Sequence, residues 1–179
     1  MAPRGGAAPA AITPADVTAA RGGDRAAFGR LFRALSPLVH GVLLARVRPA
    51  EADDLMQDVF LAAFERVSTL RDGAALGGWL CAIARHRAAD HHRARRDLVE
   101  LSEDLGHADA DRAEAERVLR AIHALPEAYR ETLVLRLVEG LTGPEIAEQV
   151  GLTPDSVRVN LHRGMKLLRE KLGLEGGDG

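Results

Sequence analysis

The sequence predicts an all-α protein made of two small helical domains joined by a flexible acidic linker. Three observations carry that prediction. Apolar residues recur at helical spacing along most of the chain, and no stretch alternates with period two, so strands are not expected. Helix punctuation recurs as well: Thr or Asp before an apolar run, Gly after it. Between Asp97 and Glu116 stand eight carboxylates against one arginine, Arg112, and this acidic stretch divides the helical pattern in two. At 179 residues with 46% hydrophobic content the chain can bury a core, but at 3% aromatics the filling must be aliphatic.

Met1 to Ala11 is rich in Ala, Pro and Gly and is expected to be disordered. Thr13-Pro14-Ala15-Asp16 opens a short helix that ends near Gly22-Gly23. Asp24 caps a longer one with Phe28, Leu31, Phe32 and Leu35. Pro37 is expected to interrupt it before Leu38, Val39, Val42, Leu43 and Val47 resume the pattern. Arg48-Pro49-Ala50 reads as a turn. From Glu51, EADDLMQDVFLAAFERV is helical and buries Leu55, Val59, Phe60 and Ala63. Gly73 and Gly77-Gly78 mark a loop, and Trp79 to Arg96 forms the last helix of this half. After the acidic stretch, Asp111 to Leu125 and the segment from Pro126 through Leu137 are helical.

The segment Leu125 to Leu172 has the punctuation of a helix-turn-helix. Thr142, Pro144 and Glu145 form a capping box with proline in the first turn. Gly151 stands where a helix end needs positive φ, and Thr153-Pro154 restarts the chain. Val157, Leu161, Met165, Leu168 and Leu172 then line one side of a helix whose other side carries Arg158, His162, Arg163, Lys166 and Arg169. Such a helix fits a major groove about 12 Å wide. The same pattern would also suit a helical hairpin with a solvated basic face.

Net charge is only −2, but its distribution is uneven. Arg85 to Arg96 contains five arginines and three histidines against Asp90, and Arg158 to Lys171 is basic again. The global balance therefore hides two basic patches. The single cysteine, Cys81, excludes an internal disulfide and a cysteine-based zinc site; in WLCAIA it reads as a buried thiol, with a redox sensor as the alternative. No apolar run reaches the roughly 20 residues that cross a bilayer, and MAPRGGAAPA has no secretory core, so no membrane insertion and a cytoplasmic, nucleoid-associated address are expected.

EADDLMQDVF, a glycine loop, GGWLCAIARHRAAD and an arginine run resemble region 2 of bacterial sigma factors. With the C-terminal segment, the chain from about Thr13 to Leu172 resembles an extracytoplasmic-function (ECF) RNA polymerase sigma factor of the sigma-70 family. That resemblance implies a transcription initiation factor without catalysis or cofactor. It would bind core polymerase through the β′ clamp helices and the β subunit, read the −10 and −35 promoter elements, assist melting, and answer to an anti-sigma factor. It divides the chain into a disordered 1–12, region 2 over 13–96, a linker over 97–111, region 4 over 112–174 and a tail over 175–179.

Residue by residue, Asp54, Gln57 and Asp58 match the family motif that docks on the clamp helices; as residues alone they could be plain solvated acids and an amide. Trp79, Arg85, His86, Arg87, Asp90, Arg93, Arg95 and Arg96 match the −10 reader, where the melted strand needs backbone-tracking cations and a pocket for an extruded base. His86 stands where the family usually has asparagine. Asp90 could accept from a base amino group or pair internally with Arg87 or Arg93, and Trp79 could be core or stacking platform. Ser156, Arg158, Val159, His162, Arg163 and Lys166 match the −35 reader; Arg158 and Arg163 suit guanine edges or phosphates, and Val159 a thymine methyl. Asn160 stands where the family often has arginine.

Two other functions compete. A stand-alone helix-turn-helix regulator would bind duplex DNA tightly by itself, as a dimer. A metal-dependent nuclease would need His86, Asp90, His91 and His92 to converge, yet adjacent histidines point about 100° apart on a helix and the surrounding arginines repel a divalent cation.

Overall fold

The structure is a computed structural model that describes residues 12–96 and 110–174. The Ala/Pro/Gly-rich N-terminus through Ala11, the linker stretch 97–109 and the tail 175–179 lie outside the described residues. Among the described residues there are eight α-helices, two short 3-10 turns and no strand.

In the first half, α1 (Pro14–Arg21) starts on the predicted box: Thr13 Oγ1 accepts from Asp16 N, and Asp16 accepts from Thr13 N. Asp16 also accepts from Arg30 Nε at 2.7 Å, tying α1 to α2 (Arg25–Leu44). Asp24 caps α2 through Ala26 N and Ala27 N. Pro37 does not interrupt this helix, which runs unbroken past it. A proline there costs about 3 kcal/mol, which burial of Leu31, Leu35, Leu38, Val39, Val42 and Leu43 along the same helix offsets.

Arg48-Pro49-Ala50 is also not a separate turn. Pro49 is the first residue of α3 (Pro49–Arg66), where its missing N–H leaves no bond unmade. Glu51 reaches back to Arg48 N at 3.0 Å. Helix α4 (Leu76–Arg96) likewise begins earlier than expected and includes Gly77 and Gly78. These glycines read as loop because helix propensity disfavours them; Gly77 is kept by close packing, since a Cβ there would stand 3.2 Å from the Gln149 carbonyl.

The second half holds α5 (Ala110–His123), α6 (Glu127–Leu137), α7 (Gly143–Val150) and α8 (Pro154–Leu172). Helix α5 opens at Ala110, two residues inside the stretch assigned to the linker. The predicted caps of the helix pair are present: Thr142 and Glu145 form the capping box, Gly151 turns at φ 74°, and Thr153 Oγ1 accepts from Ser156 N. Helix α8 lies across α6 at Gly164, where a Cβ would stand 3.0 Å from a Leu133 methyl and 3.1 Å from Tyr129 Cβ. Helix α8 is thus seated by close backbone approach.

As composition required, the core is aliphatic; all four phenylalanines sit on α2 and α3 in two edge-on or tilted pairs, Phe28–Phe64 and Phe32–Phe60. One continuous core runs through both halves, because α2 packs on α6 and α4 on α7.

Candidate nucleic-acid interface

Three surfaces contain the predicted site residues. On α3, Asp54, Gln57 and Asp58 are all exposed, one turn apart, opposite buried Leu55, Val59 and Phe60. Exposed Leu61 and Phe64 continue that face, so acids and amide border an apolar strip. This is the composition of a surface that accepts a basic amphipathic helix.

On α8, Ser156, Arg158, Val159, His162, Arg163 and Lys166 are exposed, while Val157, Gly164 and Leu168 are buried. Arg158 reaches Asp155 one turn away at 3.2 Å, both side chains largely solvated. His162, Arg163 and Lys166 make no ion pair among the described residues. The α8 face is therefore a solvated cation row with one apolar tooth, Val159, as a groove reader requires.

On α4 the predicted residues divide. His86 is exposed and lies 3.6 Å from Asp90, which also takes the Arg93 guanidinium; of the two internal partners considered for Asp90, it is Arg93 that pairs. Arg95 is bound to Glu51 of α3, and His91 lies 3.5 Å from the same carboxylate. Burial works against the Glu51 charge, but hydrogen bonds from Arg48 and the charges of Arg48 and Arg95 bring its carboxyl down to about 2. His91 and His92 diverge, as adjacent helical residues must: His92 Nε2 meets the Arg46 carbonyl at 2.9 Å. Arg87 is half-buried, and Trp79 packs partly buried against the core, which fits its reading as a core residue. Arg96 ends the helix, and its side chain lies outside the described set.

Arg85 does not join the other α4 cations. Its Nη2 and Nε donate to Glu131 of α6 at 2.6 and 3.1 Å. Arg46, in the turn after α2, donates to the same carboxylate at 2.7 Å. Glu131 is 9% exposed, the most buried acid among the described residues. Burial pushes its carboxyl up, but the Arg85 hydrogen bonds and the Arg46 charge outweigh this and hold it below the usual carboxylate range. The sequence reading missed Glu131. The available signal was its position one turn before Leu135, on the buried face of α6. Cys81 is fully buried, its thiol 3.8 Å from the Gln149 carbonyl of α7, and burial pushes it up to about 12. That fits the buried-thiol reading, since a reactive cysteine needs thiolate and access.

Two family models match this chain, sigma-70 region 2 over residues 31–97 and sigma-70 region 4 over residues 115–168. Among curated relatives, ECF RNA polymerase sigma factor SigD of Mycobacterium tuberculosis is 36% identical over 173 residues, covering 87% of this chain and 82% of SigD. RNA polymerase sigma factor CarQ of Myxococcus xanthus is 34% identical, covering 86% and 93%. The chain belongs to the ECF RNA polymerase sigma factors of the sigma-70 family. It is a transcription initiation factor. A solved structure of CnrH in complex with the cytosolic domain of CnrY shares its fold with a TM-score of 0.68 at 24% identity, covering 93% of this chain and 100% of that one. The sigma factor RpoE of Bartonella quintana, solved in complex with the anti-sigma factor NepR, aligns with a TM-score of 0.57 at 21% identity, over 83% and 97%. In the sigma factor described here, region 2 holds α3 and α4 and region 4 holds the α7–α8 pair, so each basic helix falls in one matched region.

Proposed function

We propose that the sigma factor docks on core polymerase through Asp54, Gln57 and Asp58. Arg87, Asp90, Arg93, Arg95 and Arg96, with Arg85, His86 and Trp79, serve the −10 element, and Ser156, Arg158, Val159, His162, Arg163 and Lys166 the −35 element. The observation that supports this best is the solvated cation row of α8 in the matched region 4, on a helix seated so that one side alone faces outward. Phosphate contacts from Arg158 and Lys166 position the protein, while Arg163 and Val159 read base edges.

The protein has no chemistry of its own in this reading; the bond-forming steps belong to the polymerase. It works in the bacterial cytoplasm at the nucleoid. Its regulator is a protein of the anti-sigma class, the kind of partner with which RpoE was solved. The stand-alone dimeric regulator finds no support among the relatives.

The test is run-off transcription with core polymerase on a library of randomised upstream sequences. Two enriched blocks separated by a fixed spacer are expected, and Asp58→Arg should abolish transcripts while leaving the fold intact by circular dichroism. Specific protection of duplex DNA by the chain alone, undiminished by Asp58→Arg, would overturn the reading.

A further inference from the structure

In region 2 and at its border, arginines that share one place share a carboxylate: Arg46 and Arg85 meet at Glu131, Arg48 and Arg95 at Glu51. Two recesses gather cations without one. The first, lined by Arg136, His162, Lys166 and Arg169, adjoins the cation row of α8, and DNA accounts for it. The second lies within region 4 where α5 meets α8. There Arg117, Arg120 and Lys171 line a recess of about 370 Å³ together with half-buried Ala121 and Leu172. All three cations are exposed, and none forms an ion pair or a side-chain hydrogen bond among the described residues. Glu114, Glu116 and Glu170, their neighbours in sequence, do not line the recess.

The helix dipoles account for only part of this charge. Arg120 and Lys171 stand in the last turns of α5 and α8, where a cation offsets a pole of roughly half a charge. Three full charges set against two such poles leave roughly two in excess. Arg117, a turn further back on α5, opposes no pole, and its like charge one turn from Arg120 disfavours the isolated helix. The duplex met by α8 does not account for the group either. Lys171 is five residues from Lys166, and at about 100° per residue it stands about 140° around the helix from that row.

We propose that this recess is a phosphate-binding site for a small anion with adjacent phosphoryl groups, a free polyphosphate. Its side chains offer N–H donors only, with no hydroxyl, amide or carboxylate to accept. A peptide would bring N–H groups that find no side-chain acceptor there, whereas phosphoryl oxygens only accept. The two guanidiniums present forked donors that match phosphate oxygens, and the lysine adds a compact charge from the other helix. No aromatic side chain lines the recess, so nothing stacks a base and the phosphates carry the recognition. A polyphosphate seated here would bridge α5 to α8 and stabilise region 4 by mass action. The site lies off the α3, α4 and α8 faces assigned to polymerase and promoter, so it stands whether or not those assignments do.

Isothermal titration of the full chain with inorganic tripolyphosphate at fixed ionic strength tests the site. One equivalent should bind, and the melting temperature should rise with ligand concentration. Arg117→Gln with Arg120→Gln and Lys171→Gln should weaken binding by at least about tenfold, and Arg117→Gln alone by about threefold. The single variant keeps the test decisive if the triple one does not fold by circular dichroism. Arg158→Gln with Arg163→Gln, on the α8 row, should leave the affinity within about twofold. No saturable binding by the unmodified chain, or equal losses from the two sets of substitutions, would overturn the site. Nucleic-acid backbone offers the same oxygens. If tripolyphosphate fails to bind while the triple variant loses affinity for duplexes of random sequence, the occupant is that backbone, and the assignment to a free polyphosphate falls.

Discussion

Helices α4 and α8 are both long, basic and amphipathic, yet they hold their cations in opposite ways. On α4, Arg85, Arg93 and Arg95 are each bound to a carboxylate, from α6, from the same helix and from α3 respectively. On α8, among the described residues, only Arg158 forms an ion pair, and that pair is solvated. A paired arginine sits in a fixed place with its charge partly neutralised; an unpaired one is mobile and fully charged. The first suits a surface assembled from several elements and then used, the second a surface that meets the phosphates of an intact duplex first.

The largest expected effect lies at the acid that divides the two helices. Glu131→Ala should lower stability by about 3 kcal/mol, read as a shift of the urea midpoint, because it leaves Arg46 and Arg85 facing an apolar gap. A loss below about 1 kcal/mol would mean that the buried charges contribute little beyond their own desolvation. Next, Arg163→Ala should cost the polymerase-bound protein about 1–3 kcal/mol of affinity for duplex carrying its −35 element. Arg93→Ala should cost about 0.5 kcal/mol or less for a −10 single strand, since Asp90 already offsets that charge. Fluorescence anisotropy measures both, and equal losses would erase the contrast between the helices.

The effect of Thr142→Ala should fall between those two. Losing the cap of α7 should remove about 1 kcal/mol, visible as a lower melting temperature, with the DNA affinity of region 4 falling alongside it. The last is a pH effect at Glu51. Its folded carboxyl is held at about 2 against an ordinary value of 4.5, so the group stabilises the fold fully above 4.5 and loses that contribution as pH falls toward 2. Glu51→Gln should therefore flatten the acid limb of the stability curve in that window. An unchanged limb would show that Arg48 and Arg95 do no more for Glu51 than water does.

Legibility in the sequence followed the range of the interaction. Thr142, Glu145, Gly151, Thr153 and Pro154 act within four residues of themselves, and each stands where its type alone predicts. The solvated face of α8 was legible for the same reason, since a helix with Leu, Val and Met on one side leaves one side over. Pro37 and Gly77 were misread because their local preferences are overruled by packing partners distant in sequence, whereas Pro49 follows its own local preference as the first residue of a helix. Arg85 looked like its neighbours on α4 because its partner lies 46 residues away, on a helix whose register places Glu131 inward. Local chemistry announces a surface; a shared seam is visible only when both sides are present.

The contact between the two halves has a consequence for any form of the chain in which they separate. Two halves that separate across an oily contact expose sticky patches and tend to clump or misjoin. Here the contact mixes both kinds: Glu131, Arg46 and Arg85 are groups that water receives readily, while Leu135, seated against Gly41, belongs to the one apolar core that runs through both halves. Parting would therefore uncover apolar side chains together with the ionic triad, so packing the two halves together keeps an adhesive surface away from water.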